Sequence, residues 1–176
     1  IFDLDPDPET PWEAVIEGVR EVKTRLDEFG LKSFLKTTGG KGLHIVVPLT
    51  PKHTWATIKP FTKATAQSMA RDHPDRYLAV ASKAARKGKI FLDYLRNDLT
   101  ATAVAPYSVR AREGAGVATP LFWEELSAKL KPAEYNISTV NARLAKLKSD
   151  PWADFLSTDQ TINEDILTAL RIDIHN

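Results

Sequence analysis

The stretch from Leu31 to Val47, LKSFLKTTGGKGLHIVV, decides how this chain folds. Leu31 to Thr37 reads as a strand, Thr38-Gly39-Gly40-Lys41-Gly42 as a glycine-rich turn, and Leu43 to Val47 as an apolar strand. Strands this close in sequence pair as an antiparallel hairpin, because a parallel pair needs a long crossover between them. His44 alternates against Leu43, Ile45 and Val47 and therefore faces the opposite side of the sheet.

Upstream, Ile1-Phe2-Asp3-Leu4-Asp5 alternates apolar and acidic residues at the strand period, with Asp3 and Asp5 on one face and Phe2 and Leu4 on the other. Thr10-Pro11-Trp12-Glu13 reads as a helix start, with Thr10 as cap, Pro11 at the first helical position and Glu13 completing a capping box. Trp12, Val15, Ile16, Val19, Val22, Leu26 and Phe29 form one apolar stripe, which Gly30 ends. Downstream, a second helix is expected over Thr54 to Arg71, with Ile58, Phe61 and Met69 in the core. Pro60 either kinks it or marks the first turn of its main part. Ser82 to Lys87 reads as a short helical turn and Lys89 to Leu95 as a fourth strand.

The order β-α-β-β-α-β is the signature of an α+β fold with a ferredoxin/RRM-like sheet, whose strands run 4-1-3-2 in space. Val104 to Arg112 looks extended. Thr119-Pro120 is expected to open a helix through about Lys129, and the rest to be helical with loops. The expected organisation is a catalytic core over residues 1–126 and a helical C-terminal extension of the same domain over residues 127–176.

A chain of 176 residues fits one domain, and 43% hydrophobic with 27% charged residues is ordinary globular composition. No apolar run approaches membrane-spanning length. The absence of cysteine excludes disulfides and thiolate metal sites. A net charge of +1 predicts no particular partner, but its distribution is informative. Arg76, Lys83, Arg86, Lys87, Lys89, Arg96, Arg110 and Arg112 form a basic stretch opposed only by Asp93 and Asp98, able to serve phosphates. The chain starts inside a strand with no initiating Met, which reads as a piece whose upstream portion is missing.

The 4-1-3-2 order turns separate pieces of sequence into one site. Asp3 and Asp5 lie on the first strand, Asp93 within Phe91-Leu92-Asp93-Tyr94-Leu95 on its neighbour, and His44 on the other neighbour. The helices must cover the apolar face, which leaves the acidic face open. Three carboxylates on adjacent strands repel unless cations neutralise them, and hard oxygen donors suit Mg²⁺ or Mn²⁺. Two-metal phosphoryl or nucleotidyl transfer is the chemistry this favours.

Phe2-Asp3-Leu4-Asp5-Pro6, Thr38-Gly39-Gly40-Lys41-Gly42-Leu43-His44 and Phe91-Leu92-Asp93-Tyr94-Leu95-Arg96-Asn97 resemble the three motifs of the archaeo-eukaryotic primase superfamily. Thr102 to Arg112, Thr119-Pro120-Leu121 and Trp123-Glu124-Glu125-Leu126 narrow the resemblance to the polymerase domain of bacterial DNA ligase D. The resemblance implies that Asp3, Asp5 and Asp93 ligate two divalent ions, Mn²⁺ or Mg²⁺, with Asp93 beside the primer 3′-hydroxyl. His44, Thr38 and Lys41 would contact the triphosphate, and Arg96, Arg110 and Arg112 would orient nucleotide phosphates or template. Thr38 departs from the family, which commonly has Ser there.

The implied reaction is template-directed nucleotidyl transfer from a nucleoside triphosphate (NTP or dNTP) to a DNA primer-template or DNA end. It would serve bacterial non-homologous end joining in the cytoplasm, associated with the nucleoid, with Ku and a ligase module as partners. The resemblance also implies an upstream part that helps hold the base and the 5′-phosphate. The isolated chain is therefore expected to keep the metal-binding geometry with weak or no polymerase activity.

Two other readings compete. A haloacid-dehalogenase-type phosphatase also begins with Asp-x-Asp after an apolar strand, but it has Thr or Val where Asp7 stands and a parallel sheet. A non-catalytic RRM-like nucleic-acid-binding module would carry stacking aromatics on the open face, where this sequence has aspartates and a histidine.

Overall fold

Alternation along the first strand sets the two faces of the sheet. In the computed structural model, which describes residues 1–82 and 84–172, β1 (Phe2–Pro6) lies between β3 (Leu43–Val46) and β5 (Ile90–Asp93), antiparallel to both. β2 (Phe34–Thr37) pairs with β3 as the hairpin whose turn carries the glycines. Two short strands widen the sheet, β4 (Tyr77–Leu78) parallel to β5 and β6 (Pro120–Leu121) antiparallel to β2. The full order is β4-β5-β1-β3-β2-β6. The architecture is α+β, and its mainly antiparallel pairing is not the parallel sheet of a phosphatase of the competing class.

Register divides the residues cleanly. Leu92, Leu4 and Leu43 stand opposite one another in one row, and Phe2, Ile45 and Leu35 in another. Both rows are buried beneath α1 (Trp12–Glu28) and α2 (Trp55–Asp72). From α1 come Val15, Ile16, Val19, Val22 and Leu26; from α2 come Phe61 and Met69, with Ile58 packed at the margin. The alternate row, Asp93–Asp3–His44–Lys36, must point away from the helices.

Several expectations need correction. Thr10 does not cap α1: the helix begins at Trp12 after Pro11 with no side-chain cap, and the Thr10 hydroxyl donates instead to the Lys89 carbonyl at 3.4 Å. Its C-terminal end is as expected, with Gly30 in the left-handed region at φ +68°. Pro60 lies inside α2, near its N-terminal end.

The helix expected from Thr119 to about Lys129 is absent. Pro120 and Leu121 form β6 and a single 3-10 turn, Trp123–Glu125, follows. Pro120 has no N–H for a ladder and is tolerated at a sheet edge, while Leu121 is drawn into the core. Glu125 accepts the Phe122 N–H at 2.8 Å and both Arg143 amino groups at 2.6 and 2.8 Å, closing one turn rather than starting a long helix.

The C-terminal part is less helical than expected. It holds α3 (Val140–Lys146), α4 (Glu164–Ala169) and one 3-10 turn, Pro132–Glu134, among turns and irregular chain. Leu130, Ile162, Ile166 and Leu167 nevertheless join the main core. Residues 173–176, and Lys83 of the basic stretch, lie outside the described residues. Among the described residues no helix is long and apolar enough to cross a membrane.

Candidate functional site

Asp3 sits directly opposite Asp93 on one side and His44 on the other, so two carboxylates and an imidazole share one row of the sheet. His44 Nε2 lies 3.3 Å from Asp3 Oδ2. Asp5, two residues along β1, is on the same face opposite Phe91 and is exposed. Asp93 is nearly buried, and its Oδ1 accepts the Leu95 N–H at 2.9 Å. Burial pushes the Asp93 carboxyl up from its ordinary value; the Leu95 N–H and Arg96 oppose that shift, and the negative charges of Asp3 and Asp5 add to it.

A cavity of about 520 Å³ opens over this row. Its walls include Asp3, Asp5, Thr38, Lys41, His44, Arg96, Arg110 and Arg112, eight of the nine expected site residues; Asp93 does not line it. Asp93 lies behind Arg96, whose Nε is 3.1 Å from Asp93 Oδ2 and 3.7 Å from Asp3 Oδ2. Asn97 fixes the turn that carries Arg96 by donating from Nδ2 to the carbonyls of Ile1 at 2.7 Å and Tyr94 at 2.9 Å.

Arg110 and Arg112 arrive from a separate piece of chain. Ser108 to Arg110 runs beside Gly116 to Ala118, with Arg110 N–H donating to Gly116 O at 2.8 Å and Ala118 N–H to Ser108 O at 2.9 Å. This ladder is pressed against the glycine turn. A Cβ on Gly116 would lie 2.4 Å from Gly39 O, and one on Gly39, at φ +68°, would lie 2.8 Å from Gly116 O. Two glycines are required for that approach. Thr38 spends its hydroxyl inside the turn, donating to Gly42 O at 3.2 Å.

The acidic face is not as open as expected. His44 and Lys36 are buried, because the chain around 103–107 and 150–156 folds over the β2 side. Trp152 Nε1 donates to Leu35 O at 2.9 Å, and the Trp152 and Phe155 rings pack edge-on against Phe34 at 5.8 and 5.2 Å.

The three carboxylates lie on one face of the sheet, Asp3 opposite Asp93 and Asp5 two residues along, each with an arginine partner. Among the described residues, no three His, Asp or Glu side chains gather closely enough to hold an ion as they stand. Arg96 bridges Asp3 and Asp93, and Arg86 pairs with Asp5 while lying over the Phe91 ring at 4.6 Å. The donor set still fits a divalent ion: hard oxygens on adjacent strands, one of them held at a raised pKa by burial and by the neighbouring carboxylates, a shift that a cation would oppose.

Sequence reading missed two side chains. Arg86 was legible only as one member of the basic stretch, of which Arg96, Arg110 and Arg112 share its cavity while Arg76 pairs with Glu17 at 2.8 Å and Lys89 donates to Pro74 O. Lys36 stands opposite His44 in the same row. Counting back from the five-residue turn would have placed it there.

Fold and site together define an α+β domain whose sheet carries a row of carboxylates under a predominantly basic cavity. Residues 1–152 match the family model described as LigD, primase-polymerase domain. The multifunctional non-homologous end joining protein LigD of Pseudomonas aeruginosa is 48% identical over 164 residues, covering 93% of this chain and 20% of that protein. The bifunctional non-homologous end joining protein LigD of Bacillus subtilis is 33% identical over 161 residues, covering 91% of this chain and 26% of that protein. A solved structure, the polymerase domain from Mycobacterium tuberculosis ligase D in complex with DNA, matches with a TM-score of 0.78 at 33% identity, over 82% of this chain and 50% of that one. The chain thus spans a minor share of these full-length relatives. It belongs to the LigD primase-polymerase domain family.

Proposed function

We propose that this domain carries out template-directed nucleotidyl transfer at DNA ends during non-homologous end joining. The reading rests chiefly on one observation, the direct register of Asp3 with Asp93 and His44 beneath a cavity with five basic side chains. A basic cavity over carboxylates suits a polyanion that arrives with cations; a nucleic-acid module without metal chemistry has no use for Asp3 and Asp93 there.

Two divalent ions, Mn²⁺ or Mg²⁺, held by Asp3, Asp5 and Asp93, would supply positive charge at the attacking and leaving oxygens. For that to happen Arg96 and Arg86 must leave the carboxylates they now neutralise. Their guanidiniums, together with Lys41, Arg110 and Arg112, then face the phosphates of a nucleoside triphosphate or of a DNA strand. His44, held by Asp3, presents an imidazole to the triphosphate, and Thr38 shapes the turn around it. The primer 3′-oxygen attacks the α-phosphorus and pyrophosphate leaves, its charge met by these basic side chains. Ku and a ligase module are the partners this function calls for, in a bacterial cytoplasm with the nucleoid as its place of work.

The test is primer extension by a protein containing this domain together with the rest of its polymerase region. Asp93→Ala should reduce nucleotide addition by at least about a hundredfold while leaving the fold intact, the loss expected when a group stabilising transition-state charge is removed. Undiminished addition by the Asp93→Ala protein contradicts the assigned role.

A further inference from the structure

Arg110 and Arg112 line the cavity, but the chain that carries them lies outside the strands of the sheet, so its place against the acidic row has to be fixed by other contacts. Thr37, the last residue of β2, supplies one. It is fully buried, as is Thr119 beside it. The Thr37 N–H donates to Thr119 O at 2.9 Å. Facing residues in an antiparallel ladder exchange two such backbone bonds. Here a side chain makes the return bond: the Thr119 N–H donates to Thr37 Oγ1 at 2.8 Å, and that hydroxyl donates onward to Val117 O at 3.1 Å. Val117 O also accepts from Thr119 Oγ1 at 3.0 Å, so the Thr119 N–H is the group that depends on Thr37. A buried N–H left without an acceptor is costly, which makes the Thr37 hydroxyl more than a filler of space.

The clamp reaches the arginines through two short steps. Ala118, between the two clamped residues, donates to Ser108 O and accepts the Tyr107 N–H at 2.6 Å, while Gly116 O accepts the Arg110 N–H. Both arginine side chains then lie across the glycine turn that begins one residue after Thr37. A Cβ on Gly39 would stand 2.7 Å from Arg110 Cγ, and one on Gly40 3.0 Å from Arg112 Nη1. One hydroxyl therefore joins the two walls of the cavity, the turn that carries Thr38 and Lys41 and the segment that carries Arg110 and Arg112. Thr37 itself stands behind those walls and does not line the cavity.

We propose that Thr37 is a positioning residue for this cavity: its hydroxyl sets where Arg110 and Arg112 stand over the acidic row, and so how tightly they hold a polyphosphate. This inference rests on the reading of the cavity as a triphosphate site. Valine at position 37 would fill the same space without the hydroxyl, and serine would keep the hydroxyl without the methyl.

The experiment is calorimetric titration of inorganic tripolyphosphate into the 176-residue chain and its Thr37→Val and Thr37→Ser variants. Thr37→Val should bind ~10-fold more weakly or worse, as expected when hydrogen bonds to a charged ligand are misaligned. Thr37→Ser should bind within about twofold of wild type, the scatter of an uncoupled change. In the unliganded Thr37→Val chain the Arg110 and Arg112 side-chain ¹⁵Nε–¹Hε resonances should already be displaced, which a loss of global stability alone would not cause. Hydrogen exchange in the wild-type chain needs no variant and decides the matter if Thr37→Val does not fold. By reciprocity, a ligand whose binding depends on the clamp must also tighten it. Exchange of the Thr119 amide should therefore slow as tripolyphosphate is added. Equal affinity of Thr37→Val, or a Thr119 amide that exchanges unchanged while tripolyphosphate binds, overturns the role of Thr37 and leaves the reading of the cavity standing. Failure of the wild-type chain to bind tripolyphosphate overturns both.

Discussion

Asp93 accepts a backbone N–H, leans on Arg96 and still holds its proton more tightly than an ordinary aspartate, because burial outweighs both. Its raised pKa fixes the sign of a pH effect. The folded state binds this proton at a higher pH than the unfolded chain does, so between the two pKa values stability rises as pH falls. The thermal stability of Asp93→Asn should therefore exceed wild type most at neutral pH, by up to a few degrees. The gap should narrow on acidification through the folded pKa; a gap that widens contradicts the electrostatic account. The same alternation that exposed Asp3 and Asp5 in the sequence also marked His44. Lys36 was harder to see, since a lysine within a strand ordinarily reads as a solvated position, and only cross-strand register shows it beside His44 and beneath a later segment. The arginine pairing of Asp5 was not legible at all: it joins residues 81 apart through a turn with no period of its own.

At the scale of elements, the five-residue turn between β2 and β3 depends on a backbone contact that no side chain could replace. Gly39 and Gly116 approach so closely that any Cβ on Gly116 meets the Gly39 carbonyl. Gly116→Ala must push the Ser108–Ala118 segment away from the turn and carry Arg110 and Arg112 with it. The expected cost is ~1–3 kcal/mol in denaturant unfolding, together with weaker polyphosphate binding. A variant with wild-type stability and affinity would show that the two pieces are not coupled. The inner strands and both long helices were legible because each carries a sustained period, two for β1 and β3, three to four for α1. The edge strands β4 and β6, two residues each, are too short to show one. The helix expected after Thr119 fails because tertiary demands win: Leu121 enters the core beside β2, and Arg143 claims Glu125 from α3.

Across the whole molecule, helices cover one face of the sheet, Trp152 and Phe155 cover the β2 side of the other, and the rest of that face is left to charge. That face gathers acids from β1 and β5, a histidine from β3 and basic side chains from three loops, and in the free chain the arginines stand where cations are wanted. The account depends on those carboxylates exchanging arginine for metal. The most direct test is Mn²⁺ binding to the 176-residue chain, followed by electron paramagnetic resonance of the free ion. Wild type should take up Mn²⁺, and Asp3→Asn, which removes the carboxylate central to the row, should weaken uptake by ~10-fold or more, as expected for loss of a charged ligand. Mn²⁺ that stays free in the presence of wild-type protein, or binds Asp3→Asn equally well, would contradict the central claim.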